Sequence, residues 1–419
     1  MRRFKLGAAI VVAILAYPGV AAAQTDAGRS PFGQSLTVDA LVAAVISESP
    51  RLAAIDALAE AAAYRVEVAG AFDDPTLSLA TAPRSSDSNI DVSQRLPWPG
   101  TLRARESAAE SDVLATRRRV DVERLMLTLA AKSAYAEWYF IERAIAVHAE
   151  TEVLLDQIIA TAETRYAAGS ASRQDVLQAE VERANLEAHG LGLMRRRTAT
   201  LAHINALMSR PPDAALPPAG PIPVGQPLLD AAALERRALD GHPELRQLDA
   251  EIAGAENRAE LAELAFRPDF QVRAGYNTLW DESDKRPVIG VSINVPLARS
   301  KRRAEQSRAE AETRRAQSLL ADRRAVLLGE LARARAEVEE AAAIVDLHER
   351  ELLPLADEYL AVALADYESG SGAFLNVMTA EDRLLSIRLA GERARADYLR
   401  SLADLERWAG GPVDALSAR

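Results

Sequence analysis

Ile289-Gly290-Val291-Ser292-Ile293-Asn294-Val295 alternates apolar with polar side chains, residue by residue. A period of two marks a strand with one dry face and one wet face. Phe270-Gln271-Val272-Arg273 alternates in the same way, and the turn-rich stretch 281–287 lies between the two runs. Together they predict a β-hairpin. An earlier pair, Thr76-Leu77-Ser78-Leu79 and Asn89-Ile90-Asp91-Val92-Ser93, flanks the turn-rich stretch 83–88. Pro97 closes this hairpin and Pro296 the later one. Strands of about eight to eleven residues are near the length that crosses a bilayer when tilted. Four strands cannot close around anything. In a membrane an open sheet edge is forbidden, because its amides find no water, and bacterial barrels start at about eight strands. The hairpins therefore predict a barrel shared between copies of the chain, eight strands from two or twelve from three. The alternative is a soluble protein whose hairpins fold on its own helices.

Long helical stretches follow the hairpins, over 102–166 and 299–367. About 65 residues span on the order of 100 Å at the helical rise. Leu127, Ala131, Ala134, Trp138, Ile141 and Ile145 repeat at heptad spacing, as do Leu327, Leu331, Ala334, Val338, Ala341 and Val345. That is the seam of a coiled coil. Arg333, Arg335, Glu337, Glu339 and Glu340 mark a solvated face. Pro354 predicts a kink where the first copy has Val153. Gly169 and Gly370 end the runs, and return helices follow over 174–208 and 375–408. Helices over 51–71 and 244–265 precede the hairpins.

The chain is thus written twice. Ser49-Pro50-Arg51-Leu52 returns as His242-Pro243-Glu244-Leu245, and Tyr166, Gly169, Val176, Ala179 and Glu180 return as Tyr367, Gly370, Val377, Ala380 and Glu381. The matches keep their order at a separation of about 200 residues, which chance apolar coincidence would not do. The expected organisation is a first repeat over 24–209 (hairpin about 75–97, tip about 165–173) and a second over 230–410 (hairpin about 268–296, tip about 366–373). A connector over 210–229 separates them. Its Pro211, Pro212, Pro217, Pro218, Pro221, Pro223 and Pro227 force it to be extended. Residues 411–419 form a C-terminal tail.

At the N-terminus, Arg2, Arg3 and Lys5 precede a short apolar run, and Ala21-Ala22-Ala23 supplies a small-residue cleavage pattern. This predicts a secretory signal over 1–23, leaving Gln24 first. The run is too short for a spanning helix, which needs roughly 20 apolar residues. The 419 residues contain no cysteine, which excludes a disulfide scaffold, a thiol nucleophile and a lipidated N-terminal Cys. A net charge of −11 argues against nucleic acid as a partner. Hydrophobic residues make up 49% but aromatics only 5%, so the apolar fraction suits closely packed helices. No phosphate loop, nucleophile elbow or catalytic acid pair stands out, which predicts a non-enzyme without a cofactor.

With the tandem copies, the hairpins between helices and the tip signatures Tyr166-Ala-Ala-Gly169…Asp175-Val176-Leu177-Gln178-Ala179-Glu180 and Tyr367-Glu-Ser-Gly370…Asn376-Val377-Met378-Thr379-Ala380-Glu381, the chain resembles the TolC family of outer-membrane efflux channels. Leu352-Leu353-Pro354-Leu355-Ala356 fits the same pattern, and Val92-Ser93-Gln94-Arg95-Leu96-Pro97-Trp98-Pro99-Gly100 looks most like the heavy-metal branch typified by CusC and CzcC. The resemblance covers nearly the whole chain after residue 23. It implies a mainly α fold with a membrane β-barrel portion: a homotrimer whose twelve-stranded barrel, set in outer-membrane lipid, continues into an α-helical periplasmic tunnel. A periplasmic adaptor (a membrane fusion protein) would link the tunnel to an inner-membrane pump of the resistance-nodulation-division type. The channel would be a passive conduit, with heavy-metal cations as the favoured cargo. A drug-efflux or type I secretion component, and a soluble periplasmic coiled-coil scaffold, are the other readings.

Carried over residue by residue, the adaptor-docking tips become Arg165, Tyr166, Gly169, Ser170, Ala171 and Ser172, with Tyr367, Gly370, Ser371 and Gly372. A bland account also fits, since both glycines would supply the positive φ of a tight turn with Tyr packed beneath. Acidic rings narrow the tunnel in some relatives, which here maps to Asp175, Asn376 and Thr379; only Asp175 is an acid. An acid in a helix's first turn is equally expected from the macrodipole. His148 and His348 stand at equivalent seam ends, where six imidazoles of a trimer could meet as a metal way-station. A hydrogen-bonded packing role is the commoner one for such histidines. Trp98, Tyr276 and Trp280 are candidates for aromatic belts or for a cap on the hairpins.

Overall fold

The computed structural model describes residues 34–81, 88–225, 230–278, 283 and 286–413. The predicted signal, Trp280 and most of both hairpin turns lie outside the described residues, as do connector residues 226–229 and tail residues 414–419.

Helices α1 (Val38–Glu48) and α2 (Pro50–Gly70) lead to strands β1 (Thr76–Thr81) and β2 (Ser88–Leu96), then to the long α3 (Thr101–Ala167) and α4 (Arg173–Leu207). The second half follows in the same order: α5 (Ala231–Gly241), α6 (Pro243–Leu264), β3 (Asp269–Asn277), β4 (Pro287–Asn294), α7 (Arg299–Leu347), α8 (Leu353–Ser369) and α9 (Phe374–Ala409). Helices α1 and α5 precede the segments that the repeat predicts. Thr37 and Asp230 cap them, each accepting from a backbone N–H of the first turn. Pro50 and Pro243 then open α2 and α6 at the position where a missing N–H costs nothing.

The strands form one antiparallel sheet in the order β1-β2-β3-β4, so both hairpins join through β2 and β3. Val92 faces Leu77 on one side and Ala274 on the other, and Val272 faces Val291. This register collects Leu77, Leu79, Ile90, Val92, Val272, Tyr276, Ile289, Val291 and Ile293 on one face. Thr76, Ser78, Asn89, Asp91, Ser93, Arg273 and Ser292 share the other. The apolar face is uncovered: Leu77 is 70% exposed and Ile289 84%. Strand β1 comprises six residues, shorter than the eight to eleven expected, and adjoins residues outside the described set. Gly275 is required where it stands, because a Cβ there would lie 2.9 Å from the Ile90 carbonyl oxygen on the neighbouring strand.

Below the sheet, the heptad positions of α3 and α7 are buried, with Ile145 partly so. Their core also takes in α1, α5 and the connector. The connector's described residues, 210–225, turn once at 212–213 and are then pinned. Leu36 N–H donates to Pro218 O at 2.9 Å, and Gly220 N–H donates to Leu36 O at 2.8 Å. The Tyr135 hydroxyl stands 2.9 Å from both Leu36 O and Gly220 O, and Trp138 Nε1 donates to Pro217 O at 3.2 Å. A second core, built from α3, α4, α8 and α9, lies toward the helix tips. Between α7 and α8 the helix passes through a π-turn, His348–Leu352, just before Pro354. The expected proline disturbance is taken up there, since a π-turn relaxes the i→i−4 pattern that the ring cannot join. On α3 the matching level, Val153, is uninterrupted helix.

Candidate functional site

Both tips turn on a glycine in the left-handed region, Gly169 at φ 73° and Gly370 at φ 83°. Neither is crowded by backbone, so the dihedral itself selects glycine. Gly372 is glycine for another reason: a Cβ would stand 2.8 Å from the Asp366 Cβ. Carbonyls orphaned at the helix ends are satisfied locally. Ser170 N–H donates to Arg165 O, and both Ser371 and Gly372 N–H donate to Asp366 O, all at 2.9 Å.

The two tips touch through three of the expected residues. Arg165 donates from Nη1 to Glu368 O at 2.5 Å, and its guanidinium lies 4.8 Å from the centre of the Tyr367 ring. The Tyr367 hydroxyl donates to Oδ2 of Asp175 at 3.3 Å, and Ser172 Oγ donates to Oδ1 at 2.7 Å. Tyr367 is 4% exposed and packs edge-on against Phe374 at 5.1 Å. Burial pushes its phenol above the ordinary value, and the Asp175 carboxylate pushes it the same way. The expected Tyr packing therefore holds at one tip only, because Tyr166 is 47% exposed. Ser170, Ser172 and Ser371 are exposed, with Ala171 and Gly372 partly covered.

Asp175 sits in the first turn of α4, and Ser172 caps that helix. Asn376 and Thr379 are exposed on α9; Thr379 donates its hydroxyl back to Leu375 O at 2.8 Å. His148 and His348 are partly buried, each with an Nδ1 that has no hydrogen-bond partner. The charged neighbour of His148 is His189 on α4, and burial followed by that neighbour lowers its pKa. His348 opens the π-turn and packs near Gly391. Among the described residues no group of three or more His, Asp or Glu side chains is placed to hold a metal ion. Trp98 stacks on Phe270 at 6.0 Å with Arg267 near its ring, an arrangement that caps the base of the sheet.

One cluster escaped the sequence reading. Glu137 of α3 accepts from Arg196 at 2.5 Å, Arg393 at 3.1 Å and Arg400 at 2.5 Å. Arg196 and Arg393 both lie over Phe140. The guanidiniums hold the Glu137 carboxyl below its ordinary pKa, although burial opposes them. It joins the two halves of the chain, and the run Arg195-Arg196-Arg197 was the available signal.

No helix among the described residues is long and apolar enough to cross a membrane. The architecture is that of solved outer-membrane channels. The outer membrane protein VceC of Vibrio cholerae superposes with a TM-score of 0.75 at 20% identity, over 90% of this chain and 96% of its own. CusC gives 0.78 at 17%, over 89% and 92%. The CmeC outer membrane channel of Campylobacter jejuni gives 0.75 at 14%, over 89% and 85%. Residues 234–411 match the family model described as outer membrane efflux protein. No curated protein sequence matches.

Proposed function

We propose that the chain is the outer-membrane channel of a tripartite efflux system. Three copies build one twelve-stranded barrel that continues into a helical tunnel, and the protein conducts passively while a pump supplies the energy. The observation that carries this reading is the four-stranded sheet. One face is apolar and uncovered, the other polar, and β1 and β4 are left as edges. In water such edges are an aggregation hazard, whereas closure with other copies removes them. The efflux-family match over the second half supports the same reading.

In this reading the tips dock a periplasmic adaptor through the exposed Ser170, Ser172 and Ser371 beside their glycine turns. Asp175 is the acid of the aperture, held by Ser172 and Tyr367. Heavy-metal cations are the proposed cargo, supported by the resemblance of residues 92–100 and by the likeness to CusC. Membrane fractionation and a size measurement in detergent test the channel: three chains in the membrane fraction are expected, and a soluble monomer overturns it. Cargo is tested by deleting the gene and challenging cells with copper, silver, zinc, cobalt and hydrophobic drugs. Unchanged metal tolerance beside new drug sensitivity rejects the metal assignment.

A further inference from the structure

Glu381 of α9 is 1% exposed, and neither carboxylate oxygen has a hydrogen-bond partner. It lies beside Ala380 and Leu384 of the tip core, to which α4 contributes Val176, Ala179 and Leu186 and α8 contributes Leu360, Ala363 and Tyr367. The charged groups that face it are acids, Glu182 on α4 and Asp382 on its own helix. Asp156 of α3 and Asp357 of α8, next to core residues Leu155 and Ala356, are taken by Arg183 and Arg388. Its counterpart in the first half, Glu180, is exposed.

A buried carboxylate without a cation or a donor is costly, and the group avoids the cost by binding a proton. We propose that Glu381 is a proton-operated latch of the tip: while its carboxyl is neutral α9 stays packed on α4 and α8, and when it ionises the end of the second helical hairpin loosens. Burial first, then Glu182 and Asp382, push its carboxyl up to about 7. The folded value lies above the ordinary 4.5. The packing it supports is therefore complete below that ordinary value and is lost as pH rises through about 7. The loosening belongs to the chain alone; that it widens a conduit rests on the channel reading above.

Amide exchange of residues 374–385, measured on the full chain in detergent and corrected for intrinsic rate, tests the latch. Protection roughly tenfold or more higher at about pH 5.5 than at about pH 8 is expected. Glu381→Gln and the apolar Glu381→Met should both lose this difference, and the second keeps the test open where the first misfolds. Retention of the wild-type pH response in a folded variant overturns the latch. Conductance in planar bilayers separates the two proposals. A chain that never conducts at either pH sinks the channel reading and leaves the exchange result standing. A conducting chain whose exchange ignores pH sinks the latch alone.

Discussion

The two helical hairpins share a sequence pattern but differ as mechanical objects. In the first, α3 runs unbroken for 67 residues, and Ser172 caps the return helix. Tyr166 and Glu180 point to solvent. In the second, a π-turn interrupts the outgoing helix, and α9 starts from Ala373 without a side-chain cap. Tyr367 and Glu381 are inside. The polar groups that the first hairpin spends on its surface are packed within the second. The first reads as a rod, and the second as a jointed element held to the rod by Arg165, Tyr367 and Asp175. A duplicated motif therefore does not duplicate a role; burial of the same residue type decides it.

The largest test of this contrast is at matched seam positions. Trp138→Ala should destabilise by about 3–5 kcal/mol, since Trp138 is fully buried and also donates to the connector. Val338→Ala, equally buried, should cost about 1–2 kcal/mol. Denaturant unfolding of the purified chain compares them, and equal losses would mean the two seams carry the same load. Glu137→Leu removes the acid that ties both halves and takes the carboxylate from Arg196 and Arg393, while Arg400 keeps Asp397. An expected loss of about 2–3 kcal/mol would be read in the same melts. At the tips, Gly370→Val and Gly169→Val should each strain the turn by about 1–2 kcal/mol. Both are expected to weaken adaptor capture while the barrel still inserts; loss of insertion would show that the turns serve folding instead. The smallest effect belongs to Tyr367→Phe. It should free Oδ2 of Asp175, with Ser172 still holding Oδ1, at a cost of about 0.5–1.5 kcal/mol, seen as faster exchange at the tip. Tyr166→Phe should change nothing measurable, and a matching response would erase the contrast.

Much of the architecture was legible because it depends on period. Alternation at 289–295 gave β4 and its dry face, and the heptads of Leu127 and Leu327 gave buried seams. Gly169 and Gly370 gave left-handed turns. Short helices α1 and α5 were less legible, because Thr37 and Asp230 are their main signals and the apolar period over 11 residues is brief. Contacts across the fold were not legible at all. Glu137 meets Arg400 only after five helices intervene, and Tyr135 meets Gly220 only because the connector folds back onto α3. The asymmetry of Tyr166 and Tyr367 was hidden for the same reason. Spacing places both beneath a glycine, but only packing decides which one is covered.

The unpaired flanks of the sheet also set a hazard in time. A newly made chain carries Ile289, Leu297 and Leu77 bare to water beside two strands with free edges. Any other extended segment it meets can pair with those edges. In the proposed channel, the interval between synthesis and closure is therefore when the molecule is most easily lost, and escort during that interval should limit its yield more than the strength of the finished helices does.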